Sequence, residues 1–277
     1  MPGPQRSLRQ LAVGPLTFDV LEAGPADGPV VVLLHGFPQD GRAWGAQVPD
    51  LAAAGVRVLA PSQRGYSPGA SPTAVRDYAM PQLVGDVVGV LDAIGAEDAH
   101  VVGHDWGGSV AWQMAARHPD RVRTLTVLST PHPVALGRAL QRSRAAQLRF
   151  SYALLLRLGG SERVLGAADG WLVRRLGRLT GLPAGEPLVT DPATLRTALH
   201  WYRAFSESAL KDLPRITVPT LYISGSKDPV FTDEAAVASR EYCDGPYTHL
   251  VLPDAGHWPA QTHPHAVNTA LLAHLHP

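Results

Sequence analysis

The sequence predicts an α/β architecture: a mostly parallel sheet flanked by helices and interrupted once by a helical insertion. Two observations carry this reading. Short, unbroken aliphatic runs of strand length recur along the chain, and segments of helix length separate them. A third observation, the failure of that alternation over residues 133–213, defines the insertion.

Residues 8–22 alternate in polarity and turn at Val13-Gly14-Pro15, which predicts a β-hairpin. Residues 30–34 read VVVLL, a run suited to a strand buried on both faces. The runs at 56–60, 99–103, 122–128, 219–224 and 248–252 repeat that pattern. Helices are expected near 40–54, 80–95, 107–117, 233–241 and 258–275. After Pro133 no buried-strand run returns until 219, and good helix formers (Leu, Ala, Arg) dominate. A structureless loop of that length is improbable in a compact domain, so helices are expected. The domain division is therefore 1–132 with 214–277 as core, and 133–213 as a helical cap. There is no internal repeat and no low-complexity tract.

The chain has 277 residues, enough for one large domain with an insertion. Lys and Arg number 24, as do Asp and Glu, so no overall basic excess points to nucleic acid. An apolar content of 45% sets it apart from disordered chains. Cys243 is the sole cysteine, so no internal disulfide is possible, and its thiol reads as incidental rather than catalytic. The first fourteen residues lack the apolar run of a signal peptide. No apolar stretch approaches the roughly 20 residues that span a bilayer. The expectation is a cytoplasmic protein with no membrane partner. Arg outnumbers Lys 22 to 2, which reads as genome composition rather than function.

The strand at 99–103 runs into Gly103-His104-Asp105-Trp106-Gly107-Gly108 and then a helical segment. Small residues flanking one polar residue at a strand-to-helix corner have the spacing of a nucleophile elbow. Asp105 holds the central position, where many such elbows carry Ser. A carboxylate with an ordinary pKa of about 3.9 is already anionic at neutral pH, so it can attack carbon directly and form an ester. The competing reading is an Asp that caps the following helix. Asp228 follows one later strand, in Gly225-Ser226-Lys227-Asp228-Pro229, and His257 follows the last, in Asp254-Ala255-Gly256-His257-Trp258. An Asp before Pro is by itself a turn residue, and one of 12 histidines is weak evidence. Together they give the order nucleophile, acid, histidine, each at the carboxyl end of a strand. The loop His35-Gly36-Phe37-Pro38 follows the strand at 30–34. The backbone N–H groups of Phe37 and Trp106 are the expected oxyanion hole.

These segments resemble the epoxide hydrolase family of α/β-hydrolases. HGFP at 35–38, QRGYSPG at 63–69, GHDWGG at 103–108, STPHP at 129–133, GSKDPV at 225–230 and AGHW at 255–258 all resemble that family. They cover almost the whole chain outside the insertion. The resemblance implies an α/β-hydrolase fold with a mostly parallel central sheet, flanking helices and an inserted helical cap. It also implies two cap tyrosines that protonate the opening oxygen: Tyr202, within Leu199-His200-Trp201-Tyr202-Arg203, and Tyr152, within Phe150-Ser151-Tyr152. An epoxide ejects an alkoxide, which is too basic to leave unaided, and a phenol can deliver the proton. Substrate-binding roles are expected for His35, Pro38, Trp201 and Trp258. The expected partner is a small-molecule epoxide, bound by a monomer or homodimer. No metal or organic cofactor is expected, since His263-Pro264-His265 lacks clustered ligand spacing.

The implied reaction begins with attack of Asp105 on a ring carbon. His257, oriented by Asp228, then activates water to hydrolyse the ester and release a vicinal diol. The family often has Asp where Ser62 stands, and an acidic residue where Trp258 to Thr262 run; the first position reads as structural. Two alternatives stay open. GHDWGG is shared with haloalkane dehalogenases, although Phe37 lacks a side-chain halide donor, and Trp106 stands where fluoroacetate dehalogenases carry Arg. A catalytically silent binding protein is the other alternative. A serine-type esterase is disfavoured by Asp105. Finally, the zero net charge hides an asymmetry: residues 132–215 carry twelve Arg, one Lys and six acids, a net of +7, and the remainder carries −7. Solvated arginines aiding cap–core attraction account for it, or the cap favours an anionic substrate. For the second, Arg138, Arg142 and Arg149 share a face with Tyr152 if 138–152 is one helix.

Overall fold

The computed structural model describes residues 6–275; the first five residues of the segment read for a signal peptide lie outside it. Eight strands form one sheet. They are β1 (Ser7–Val13), β2 (Leu16–Ala23), β3 (Val30–Leu34), β4 (Arg57–Pro61), β5 (Ala99–His104), β6 (Val122–Leu128), β7 (Thr220–Gly225) and β8 (Tyr247–Leu252). Their spatial order is β1-β2-β4-β3-β5-β6-β7-β8. The two pairings made by β2 are antiparallel, and the other five are parallel. The hairpin turns where predicted, with Val13 opposite Leu16 and Gly14 at φ +54. The aliphatic runs became the parallel strands because both faces of the sheet are covered; every residue of β5 and β7 is buried.

Outside the insertion the helices are α1 (Val48–Ala53), α2 (Met80–Ala93), α3 (Trp106–Arg117), α10 (Asp233–Ala238), α11 (Pro259–Thr262) and α12 (Pro264–Leu275). Two expected helices are divided. Residues 40–54 form a 3-10 turn at Gly41–Trp44 and then α1, which begins next to Pro49. Residues 258–275 break before Pro264, where proline disfavours helical geometry in the residue that precedes it. The register places Leu34 beside Gly103, His104 beside Leu128 and Gly225 beside Leu252. The segments after β3, β5, β7 and β8 therefore emerge at one edge of the sheet.

Between β6 and β7 lie α4 (Pro133–Arg142), α5 (Arg144–Phe150), α6 (Tyr152–Leu156), α7 (Ser161–Leu179), α8 (Pro192–Ala198) and α9 (His200–Ala204). The single helix considered for 138–152 is not formed. Ser143 is extended (φ −113, ψ 117) and its hydroxyl caps α5 at the Ala146 N–H, 3.3 Å away. A second break falls at Ser151. Within α7, Ala167 to Gly170 leave helical geometry, and the helix resumes at Trp171. The helical segment is fastened to the sheet edge by main-chain acceptors. Trp201 Nε1–H donates to Arg64 O (2.8 Å), Thr197 Oγ1–H to Gly65 O (2.6 Å) and Val189 N–H to Pro38 O (2.8 Å). No helix of the described residues is long and apolar enough to cross a membrane.

Candidate active site

The chain turns from β5 into α3 through Asp105, at φ 52 and ψ −120. A non-glycine residue in that region costs on the order of 1–3 kcal/mol, so the surrounding structure must hold it there. It does so by close packing. A Cβ on Gly36 would overlap the Asp105 side chain, and one on Gly107 would overlap the Leu34 carbonyl. Only glycine at both positions lets the loop after β3, the elbow and the first turn of α3 meet. Thr130 Oγ1–H donates to the Asp105 carbonyl (2.7 Å) and fixes its peptide. The strain presents the carboxylate at the N-terminus of α3, the positive end of the helix dipole.

Both backbone donors foreseen for the oxyanion hole face this carboxylate. Phe37 N–H donates to Asp105 Oδ1 at 3.0 Å, and the Trp106 N–H is a second donor. Burial works against ionisation of Asp105. The His257 hydrogen bond and charge, the nearby His104 and the Trp106 N–H outweigh it and hold the carboxyl below its ordinary range. Asp105 is therefore anionic at neutral pH.

His257 lies between two carboxylates. Its Nε2 is 3.4 Å from Asp105 Oδ2, and its Nδ1 is 3.1 Å from Asp228 Oδ2. The other oxygen of Asp228 accepts from Val230 N–H (2.7 Å) and, more weakly, Phe231 N–H (3.3 Å). Burial opposes a charged His257, but Asp228 and Asp105 prevail and push it up to about 10. Its carbonyl accepts from His104 Nε2–H (2.8 Å) and Ser129 Oγ–H (2.9 Å). His104, lowered to about 4 first by burial and then by His257, stays neutral and suits that donor role.

Tyr202 on α9 and Tyr152 at the start of α6 complete the group. Trp106 and Phe37 meet the Tyr202 ring edge-on, at centroid distances of 5.0 and 5.4 Å. Burial, reinforced for Tyr202 by Tyr152 and Asp105, pushes its phenol well up; Tyr152 is raised by burial and then by Asp105 and Asp228. Both phenols are neutral donors at neutral pH. A cavity of about 880 Å³ is lined by Asp105, His257, Tyr152 and Tyr202, with Phe37, Pro38 and Trp258 beside them. Its volume is ample for a small molecule.

Two residues expected to bind substrate are placed elsewhere. His35 turns away from the cavity: Gln63 N–H donates to its Nε2 (3.0 Å), its Nδ1–H meets Gly36 O (3.1 Å), and its ring packs edge-on against Tyr66. It braces the loop that carries Phe37. Trp201 is buried behind the site, spending its N–H on Arg64 and packing edge-on against Trp106 and Tyr66. Pro38 and Trp258 do line the cavity. The residues not foreseen are His104 and Ser129. His104 could have been found from its place beside Asp105, but nothing in the sequence reveals that Ser129 takes a positive φ of 66. Cys243 is buried and its thiol is pushed up to about 12, chiefly by burial, so it is not a nucleophile at neutral pH. Among the described residues no three His, Cys, Asp or Glu side chains gather as a metal site.

Known proteins resemble the chain over nearly its whole length. Residues 29–264 match the family model of the alpha/beta hydrolase fold. The chain is 36% identical to epoxide hydrolase A of Mycobacterium tuberculosis, over 92% of this chain and 93% of that one. It is 33% identical to the AB hydrolase superfamily protein YfhM of Bacillus subtilis, over 94% of each. Among solved structures it resembles epoxide hydrolase A of Mycobacterium thermoresistibile at 31% identity and a TM-score of 0.80, with 98% of both chains covered. A metagenomic epoxide hydrolase from hot environments superposes with a TM-score of 0.86 at 28% identity, covering 98% of this chain and 99% of the other. The fold and site define an α/β-hydrolase. Within that class the chain belongs to the epoxide hydrolase family.

Proposed function

We propose that the protein hydrolyses an epoxide to a vicinal diol through a covalent ester on Asp105, with residues 133–213 acting as a cap over the site. The observation that carries this is the meeting of Asp105, His257 and two neutral phenols in one cavity. The epoxide oxygen accepts hydrogen bonds from Tyr152 and Tyr202. Asp105 attacks the ring carbon from the opposite side, the C–O bond breaks, and a phenol protonates the departing oxygen. Halide loss needs no such proton, so the buried tyrosine pair favours an epoxide over a haloalkane.

The high pKa of His257 in the free protein has a mechanistic consequence. Esterification removes the charge of Asp105, one of the two groups that raise it. The His257 imidazolium then becomes a stronger acid and gives up its proton, through solvent, to the phenolate left by ring opening; the neutral imidazole takes a proton from water, and Asp228 stabilises the imidazolium that forms. Hydroxide attacks the ester carbonyl, and the N–H groups of Phe37 and Trp106 stabilise the oxyanion. The cavity lining is largely aliphatic, and Arg149 is its single arginine among the described residues. The substrate that fits is therefore a lipophilic epoxide.

Single turnover of an aryl epoxide in ¹⁸O water tests the reading, with Asp105→Asn as control. Label is expected in the Asp105 carboxylate, and the variant is expected to lose at least about 10⁴-fold in rate. Label confined to the diol excludes the ester. Halide release from haloalkanes with no diol from epoxides would assign dehalogenation instead.

A further inference from the structure

The outer face of the cap carries an apolar surface that nothing among the described residues covers. Leu155, Leu158, Val164, Leu176 and Leu179 are exposed, Leu179 by 66%, and all five line the cavity that holds Asp105. They form the lip of its mouth. Eight of the twelve large exposed apolar side chains fall between residues 148 and 179, so the patch is local to this face. Contiguous apolar surface of this kind on a soluble protein marks an interaction site.

Positive charge lies alongside it. Arg157, Arg163, Arg175 and Arg178 are exposed and have no carboxylate partner among the described residues. From Trp171 onward α7 is regular, so Trp171, Arg175 and Arg178 share one strip of the helix. The neighbouring strip, Leu172, Leu176 and Leu179, turns into the cavity mouth. The Arg175 guanidinium lies over the Trp171 ring at 5.5 Å. Leucine and tryptophan flanked by arginine is the side-chain set that rests at a lipid–water boundary, apolar groups toward the acyl chains and guanidinium groups among headgroup phosphates.

We propose that this cap face docks on an anionic lipid surface, with the cavity mouth set against the bilayer. Charge decides between lipid and a second copy of the chain. A two-fold pairing through the patch sets each arginine cluster against its own copy, whereas anionic headgroups neutralise it. Docking of this kind is peripheral and requires no membrane span. It does not rest on the proposed reaction, because lipid binding is read without turnover.

The test is co-sedimentation of the full chain with vesicles of phosphatidylcholine alone or with about a third phosphatidylserine. Binding is expected only with phosphatidylserine and is expected to weaken as salt rises. Arg163→Glu, Arg175→Glu and Arg178→Glu together should lower partitioning by more than about tenfold, and Trp171→Ser by a smaller factor. The triple variant should still turn over a small water-soluble epoxide at the wild-type rate, which shows that it is folded. Equal partitioning onto both vesicle types overturns the proposal, as does unchanged partitioning of the triple variant. Dimerisation that the same variant abolishes, without lipid binding, overturns it in favour of a second copy.

Discussion

Asp105 and Tyr202 face one cavity, but they are held in it by different means. Asp105 is fixed by main chain: a strand end, a strained φ of 52, the Phe37 N–H and a carbonyl bonded to Thr130. It cannot move without the sheet moving. Tyr202 stands on α9, a five-residue helix, and its ring is placed by the edges of Trp106 and Phe37. In the proposed reaction the core dictates where bonds form and break, and the cap supplies donors that are held by side-chain contacts rather than by main chain. Substitutions in the core should abolish a step, while substitutions in the cap should scale it.

The largest effect short of removing Asp105 is expected at His257. His257→Gln should leave alkylation intact and slow turnover by about 10³-fold or more, so that intact-mass spectra show a protein–substrate adduct. Normal turnover in this variant means that another group is the base. The pH dependence follows from the two carboxylates beside the imidazole. In the free protein they hold His257 protonated up to about 10, and Asp105 is anionic throughout the neutral range. Alkylation, which needs the carboxylate, should be flat across neutral pH. Ester hydrolysis, which needs neutral imidazole after Asp105 has lost its charge, should rise with pH. Rapid-quench measurement of both steps at mildly acidic and mildly alkaline pH checks this. Parallel profiles would contradict the assignment of His257 as base.

The same contrast explains what could be read from the chain. Six strands lie where continuous aliphatic runs put them, and β1 and β2 lie where alternating polarity puts a hairpin. Asp105, Asp228 and His257 were legible because strand ends bring them to one edge regardless of packing detail. The cap is made of short helices whose breaks depend on single residues such as Ser143, and the direction of its side chains depends on tertiary contacts. Tyr152 and Tyr202 were reached by family resemblance rather than from periodicity. His35 and Trp201 lie away from the cavity for a similar reason: an aromatic ring close in sequence to a cavity-lining residue can point away from it in space.

The tyrosines come next in magnitude. Tyr202→Phe and Tyr152→Phe should each slow epoxide opening by roughly 10- to 100-fold, since the remaining phenol still donates, and the double variant by more than either. The loss should fall on the alkylation rate, seen as a smaller burst of ester, with ester hydrolysis unchanged. Equal losses in both steps would mean that the tyrosines shape the cavity rather than donate a proton.

The smallest effect concerns the charge of the cap. The net of +7 over residues 132–215 left an anionic substrate open, but the arginines considered for that role do not share a face directed at the cavity. Arg138 lies 3.7 Å from Glu241 and over the ring of Tyr242. Arg149 reaches the cavity, yet its Nη1 donates to the carbonyls of Asp228 (3.0 Å) and Phe231 (2.7 Å), tying the cap to the loop that carries the acid. These two bonds fix the guanidinium to that loop, so its position is set by the protein rather than by a substrate carboxylate. Neutral and carboxylated epoxides of equal length should therefore differ in kcat/KM by less than about threefold, well under 1.4 kcal/mol, with little response to salt. A preference of tenfold or more for the carboxylate, lost in Arg149→Met, would show that the charge of the cap reaches the substrate as well as the surface.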